Sequence, residues 1–150
     1  MNKGFLYGPF DKPPFQTYRI SPIGVAEHKY SKKKRLIVDL SAPHNNDDDV
    51  SMNSLIDKSE FSVSYVRVDD IAINVIKSCG AGANLCKTDI VDAFKLIPIR
   101  PDLWQYHGIC WNSKYYFFKR LCFGSRSSPK ILSGAIHWIA TNNYKIPNLL

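Results

Sequence analysis

Three segments carry residues that could do chemistry. The first is Lys87-Thr88-Asp89-Ile90-Val91-Asp92-Ala93-Phe94. An acid at the end of an apolar stretch is poorly placed for a core and well placed for a metal. Mg²⁺ prefers carboxylate and phosphate oxygens, and phosphoryl transfer needs at least one such anchor. Asp92, at i+3, is close enough to share a turn with Asp89. A capping or salt-bridged aspartate is the plain alternative. The second segment is Leu121-Cys122-Phe123-Gly124-Ser125-Arg126-Ser127-Ser128-Pro129. A glycine-bearing loop that opens a helix offers backbone N–H groups to an anion, and Arg126 adds charge. An ordinary helix start is the alternative. The third is the run Lys32-Lys33-Lys34-Arg35 before Leu36-Ile37-Val38-Asp39-Leu40. Such a run is commonly a solvated turn or a localisation signal. An arginine entering a strand beside a lysine-rich tip could instead fold over a triphosphate.

The elements that must position these groups follow from pattern. Ile23 to Lys29 and Arg35 to Leu40 read as two strands around a basic hairpin tip, Tyr30 to Lys34. Before them, the Pro- and aromatic-rich opening reads as extended coil laid over a core. Ser41 to Ser59 reads as loop. Val68, Ile71, Ala72, Val75 and Ile76 fall at helical spacing, with Asp69 and Asp70 in the first turn, Lys77 in the last and Gly80 beyond it. Asn84 to Asp89 reads as a strand, and the chain turns sharply at Ile90–Phe94. Trp104–Trp111 and Tyr115–Lys119 read as a hairpin across Asn112-Ser113-Lys114. A helix is expected from Pro129, capped by Ser127 or Ser128, with Ile131, Leu132, Ala135, Ile136 and Ile139 on its apolar face. The sum is an α+β domain with antiparallel hairpins packed against helices.

Composition narrows the function classes. The chain has 150 residues, 45% of them hydrophobic, enough for one core. It holds no apolar run of membrane-spanning length. Met1 to Phe10 lacks the apolar stretch of a signal peptide. The four cysteines (Cys79, Cys86, Cys110, Cys122) form no CxxC pair. They fit a reducing compartment, cytoplasmic or nuclear rather than secreted, and read as small buried apolar residues. The net charge is +7. Residues 1–35 hold eight Lys/Arg against two acids, and Lys114, Lys119, Arg120, Arg126 and Lys130 occupy 112–130 with no acid. Two basic stretches around an acidic middle suit a polyanion held beside a carboxylate site, although an ordinary solvated surface has the same charges. No GxGxxG or Walker loop occurs, so a nucleotide cofactor domain of those kinds has no support.

The order of the motifs carries a resemblance. The chain resembles reverse transcriptases over nearly its whole length, nearest to tyrosine-recombinase retrotransposons of the DIRS type. GPFDKPPF followed by SPIGV resembles the start of their fingers subdomain, and KRLIVDLS the fingers strand with a triphosphate-binding arginine. KTDIVDAF resembles the first catalytic motif, and LCFGSRSSP the next, usually written LPFGxxxSP. Cys122 stands where that proline is usual, which should alter only loop rigidity.

The resemblance implies a partial right-hand polymerase, with fingers over 1–63 and 99–122 and palm over 64–98 and 123–150. It implies templated transfer of a nucleotide from a deoxynucleoside triphosphate to a primer 3′-hydroxyl, on an RNA or DNA template, with two Mg²⁺ ions. Asp89 would be the catalytic, metal-binding carboxylate, assisted by the backbone carbonyl of Ile90. Asp92 and Ala93 would lie beneath the triphosphate and Phe94 beneath its sugar. Arg35 would grip the β/γ-phosphates, helped by Lys29 or Lys33, while Phe123 and Gly124 would pack against nucleotide and template. Lys32, Lys34, Lys114, Lys119, Arg120 and Arg126 would track nucleic-acid phosphates. The family places a Tyr-x-Asp-Asp hairpin downstream of a segment like Lys145–Leu150. Asp102 is the last acid here, so the chain is expected to be incomplete and inactive alone, lacking the rest of the palm, thumb, RNase H and recombinase. The competing expectation is a non-catalytic relic, or a domesticated module that only binds nucleic acid.

Overall fold

The computed structural model describes residues 4–44, 50–65, 67–80, 82, 84 and 89–141. Its centre is a three-stranded antiparallel sheet in the order β1 (Leu6–Phe10), β5 (Lys114–Phe118), β4 (Gly108–Trp111). Trp111 pairs with Lys114, so the hairpin loop is Asn112-Ser113 alone. Both have positive φ, 50° and 56°, the conformation whose twist matches the flanking strands and which Asn tolerates well. Asp11 on the segment after β1 forms an ion pair with Lys114.

β1 corrects the expectation of coil at the start of the chain. Leu6 and Tyr7 pair with Phe118 and Phe117, and the register shifts before Phe10 meets Tyr115. Pro9 has no N–H, but an irregular edge strand tolerates that. Gly8 is required at the irregularity, because its φ is +128° and an added Cβ would lie 2.6 Å from the Tyr115 carbonyl oxygen. The rings then close over the sheet: Tyr7 meets Phe10 at 4.7 Å and Trp104 at 5.5 Å, and Phe15 meets Phe117 edge-on at 4.8 Å.

A second correction concerns Trp104–His107, which is no strand. Pro101–Tyr106 forms a 3₁₀ helix with Pro101 at its first turn, where its fixed φ is already suitable. Arg100 donates to both Asp102 oxygens, at 3.1 and 2.9 Å, and Trp104 Nε1 donates to the Ile99 carbonyl at 2.9 Å. β4 therefore starts only at Gly108. That residue sits against the Arg19–Ser21 segment, with Ser21 N–H donating to its carbonyl at 2.9 Å. A Cβ there would lie 2.6 Å from the Arg19 carbonyl oxygen, 2.6 Å from Ile20 Cδ1 and 2.7 Å from the Phe117 ring.

β2 (Ile23–Glu27) and β3 (Lys34–Val38) pair as a separate two-stranded ribbon, Ile23 opposite Val38 and Glu27 opposite Lys34. Both expected strands are present: β2 stops two residues short of Lys29 at the tip, and β3 begins one residue early, at Lys34, and stops two residues short of Leu40 at the root. The ribbon's root joins the core: Val38, Leu40, Ile109, Tyr116 and Cys122 are buried together, with Leu6, Ile23, Met52 and Phe118 packed on them. Its tip projects, with Val25 and Leu36 exposed.

α1 (Val68–Cys79) has the expected bounds, and Gly80 closes it by donating its N–H to the Ile76 carbonyl at 2.9 Å. Its apolar stripe is exposed among the described residues, Val68 by 80% and Ile76 by 58%. α2 (Ala93–Leu96) is a single turn, and α3 (Ser128–Thr141) begins one residue before the expected proline. Between them the chain leaves and returns side by side. Ile99 N–H donates to Lys119 O at 2.9 Å, and Leu121 N–H to Ile97 O at 3.0 Å. The fold is mixed α/β with antiparallel strands, compatible with the α+β class. Of the expected strand at Asn84–Asp89, residues 85–88 lie outside the described residues.

Candidate nucleotide and nucleic-acid site

Asp89 and Ile90 are exposed and lie in no regular element. Asp92 then adopts the left-handed conformation, φ 54° and ψ 33°, a region where aspartate is among the better-tolerated side chains. Its carbonyl accepts the Lys95 N–H at 2.7 Å, starting α2, and its carboxylate meets Lys95 Nζ at 3.0 Å. Asp92 is thus ion-paired within its own turn. The sharp turn delivers Phe94 edge-on to Phe123, ring centroids 5.8 Å apart. Two motifs far apart in sequence meet through these rings. Phe94 also lines an apolar groove of about 500 Å³ with Val63, Tyr65, Leu132 and Ile136.

The loop after Leu121 is held from both sides. Cys122 is 2% exposed, and burial pushes its thiol up to about 12, so it acts as a small neutral core residue. Its carbonyl accepts the Ser128 hydroxyl at 2.9 Å. Gly124 has φ +99°, and a Cβ there would lie 2.9 Å from the Val38 carbonyl oxygen. Both facts require glycine. Phe123 is left 66% exposed.

Three of the amides that might have cradled an anion have partners inside the protein. Ser125 N–H donates to Cys122 O, Ser128 N–H to Ser125 O, and Arg126 N–H to Asn53 Oδ1 at 2.8 Å. Arg126 Nη1 donates to the Ile56 carbonyl at 2.9 Å, and Lys130 Nζ donates to the Glu60 carbonyl. The segment beginning at Leu121 is thus a helix start braced against residues 51–61.

Asn53 was not visible to sequence reasoning. It is 8% exposed, and both ends of its amide have partners: Nδ2 donates to Ser41 Oγ at 2.8 Å and to the Gly124 carbonyl at 2.9 Å, while Oδ1 accepts from Arg126. An asparagine between Met52 and Ser54 in a polar stretch looks like any turn residue. Its two loop partners lie 71 and 73 positions away, and no local pattern encodes that.

The remaining candidates are placed as follows. Arg35 lies exposed on β3, opposite Ala26. At the ribbon tip Lys32 has φ 55° and pairs with Glu27 at 3.5 Å, Lys33 O accepts the His28 N–H at 2.9 Å, and Lys29 Nζ sits 5.7 Å from the Tyr30 ring centre. Lys34 begins β3. Lys119 lies over Trp104 at 5.8 Å, and Arg120 is half-buried beside Pro98. Ala93 is half-buried in α2. Asp39, at the ribbon root, accepts from His44 at 2.7 Å, and that bond holds its carboxyl below the usual range.

Of the cysteines expected to be buried, Cys122 is, whereas Cys79 and Cys110 are exposed and Cys86 lies outside the described residues. Among the described residues no group of three His, Cys, Asp or Glu side chains could hold a metal ion. No helix among them is long and apolar enough to cross a membrane.

Solved structures share this architecture. Residues spanning 97% of the chain superpose on prototype foamy virus protease-reverse transcriptase with a TM-score of 0.56 at 19% identity. A selenomethionine-labelled mutant of that protein gives 0.58 over 93% of the chain at 16% identity. The fold is reverse-transcriptase-like. The chain spans only 16% of the length of either structure. No protein-family model matches the sequence, and no curated protein does.

Proposed function

We propose that this chain is part of an RNA-directed DNA polymerase of the reverse transcriptase family, built of fingers and part of the palm and nearest to DIRS-type retrotransposons. The observation that carries the reading is the meeting of Phe94 and Phe123. It brings the Asp89 motif and the Gly124 loop together, as a single nucleotide site requires. The backbone pairing of 97–99 with 119–121 adds support, since it falls close to the 98/99 and 122/123 boundaries expected between palm and fingers.

In this reading Asp89 and the Ile90 carbonyl would hold magnesium. Both are hard oxygen donors and both belong to exposed residues, but they make up only part of a two-ion cage. Bound metal would neutralise charge on the transferring phosphoryl group. This chain's own contribution is positioning. Phe94 and Phe123 bracket the sugar and base, while Arg35, with Lys29 or Lys33, meets the phosphates from the ribbon. The other basic side chains follow the template-primer backbone.

The test is Asp89→Asn in a longer polypeptide that carries a second carboxylate cluster. The substitution keeps the shape and removes the charge, so primer extension is expected to vanish with the melting temperature unchanged. A variant that melts early but keeps its activity per folded molecule would contradict the reading.

A further inference from the structure

We propose that Asn53 is a positioning residue for this site, a latch that sets the Phe123–Arg126 loop in the shape that receives nucleic acid. The inference rests on the polymerase reading above. Three residues from two segments converge on its one amide: Ser41 just after the ribbon, and Gly124 and Arg126 within the loop. Asn53 is itself anchored by its own N–H, which donates to the Leu40 carbonyl at 3.0 Å. The latch therefore couples the root of the basic ribbon to the loop that presents Phe123.

Several features make this more than core packing. Gly124 already has a left-handed φ that nothing in a free loop would favour over its alternatives. Its carbonyl and the Arg126 N–H point back at the same side chain, so one residue fixes the peptide groups on both sides of Ser125. Both are polar groups in a partly buried place, and neither can be left unmatched without cost. Phe123, one residue earlier, stays exposed on the loop so fixed. Asn53 touches no reacting atom in this scheme. It acts through the loop.

The test uses the 150-residue chain with a fluorescein-labelled RNA–DNA hybrid bearing a single-stranded template overhang, titrated across salt concentrations. Asn53→Ala is expected to accelerate hydrogen exchange of the Arg126 amide by about tenfold, the ordinary worth of one hydrogen bond. It is also expected to weaken hybrid binding several-fold while leaving the slope of log affinity against log salt unchanged, because no phosphate-bound cation is removed. Ser41→Ala removes one of the three bonds from an exposed partner and should weaken binding in the same direction by about twofold. It carries the test if Asn53→Ala does not fold.

Wild-type binding that is insensitive to both substitutions, yet whose salt slope flattens when Lys32, Lys33 and Lys34 become alanine, overturns the latch and leaves the polymerase reading standing. A salt slope that collapses with Asn53→Ala makes Asn53 a general structural residue and also overturns the latch. Failure of the wild type to bind the hybrid at any salt sinks the polymerase reading itself.

Discussion

Phe94 separates two physical roles at the scale of one residue. If its ring lies beneath the deoxyribose, a 2′-hydroxyl is excluded by a clash, and removing the obstacle relaxes the choice. Phe94→Val in an active longer polypeptide is then expected to raise ribonucleotide relative to deoxyribonucleotide incorporation, read as the ratio of kcat/KM for the two sugars. A ring that serves only as packing against Phe123 would instead cost about 2 to 4 kcal/mol of stability with the ratio unmoved. His107 gives a second prediction. Burial lowers its pKa below the ordinary 6.5, and its Nδ1 is buried without a partner. Below pH about 6.5 the unfolded chain binds a proton that the folded chain refuses, so stability falls as pH drops through that value toward the depressed folded one. His107→Leu should flatten the decline of melting temperature between pH about 7 and 5 relative to wild type. An identical decline in the variant would assign the dependence to other groups.

Elements differed in how legible they were. β2, β3 and α1 were readable because their signals are local: alternation, a charged first turn, a glycine after the last turn. β1 was not, because Gly8 and Pro9 look like coil and the strand exists only through pairing with β5, more than 100 residues on. Trp104–Tyr106 reads as strand from sequence because Trp104 and Tyr106 have strand propensity, whereas Pro101, the Arg100–Asp102 fork and the Trp104 bond to Ile99 set a 3₁₀ helix over Pro101–Tyr106. At the site, Asp89, Phe94 and the Gly124 loop were visible as motifs. Asn53 was invisible because hydrogen bonds across the fold leave no period in sequence. The β2–β3 ribbon carries the element-scale prediction. Its projecting tip concentrates Lys32, Lys33 and Lys34, and about four neutralised phosphates would give a salt slope of roughly −3 to −4. Alanine at all three positions should flatten that slope, and a slope left unchanged would make the tip an ordinary solvated turn.

For the molecule as a whole, acids are the scarce resource. Asp92 meets Lys95 and Asp102 meets Arg100, and the proposed reading assigns the metal to Asp89. The 150-residue polypeptide alone is expected to show no DNA synthesis on a primed template, because one carboxylate offers too few hard oxygens for two divalent ions. Mg²⁺- or Mn²⁺-dependent primer extension by the purified chain would refute this.

Gly108 carries a consequence of another kind. The carbonyl of Arg19, the end of Ile20 and the ring of Phe117 all stand where any side chain would begin. Its identity therefore answers to the fold, whereas in the proposed polymerase reading that of Asp89 answers to chemistry. Natural selection sees the two separately. A lineage kept for synthesis retains both residues. One kept only to grip nucleic acid holds the glycine and lets the aspartate drift. One under no selection loses both at the same pace, so the history of two codons records which trade the descendants of this chain have followed.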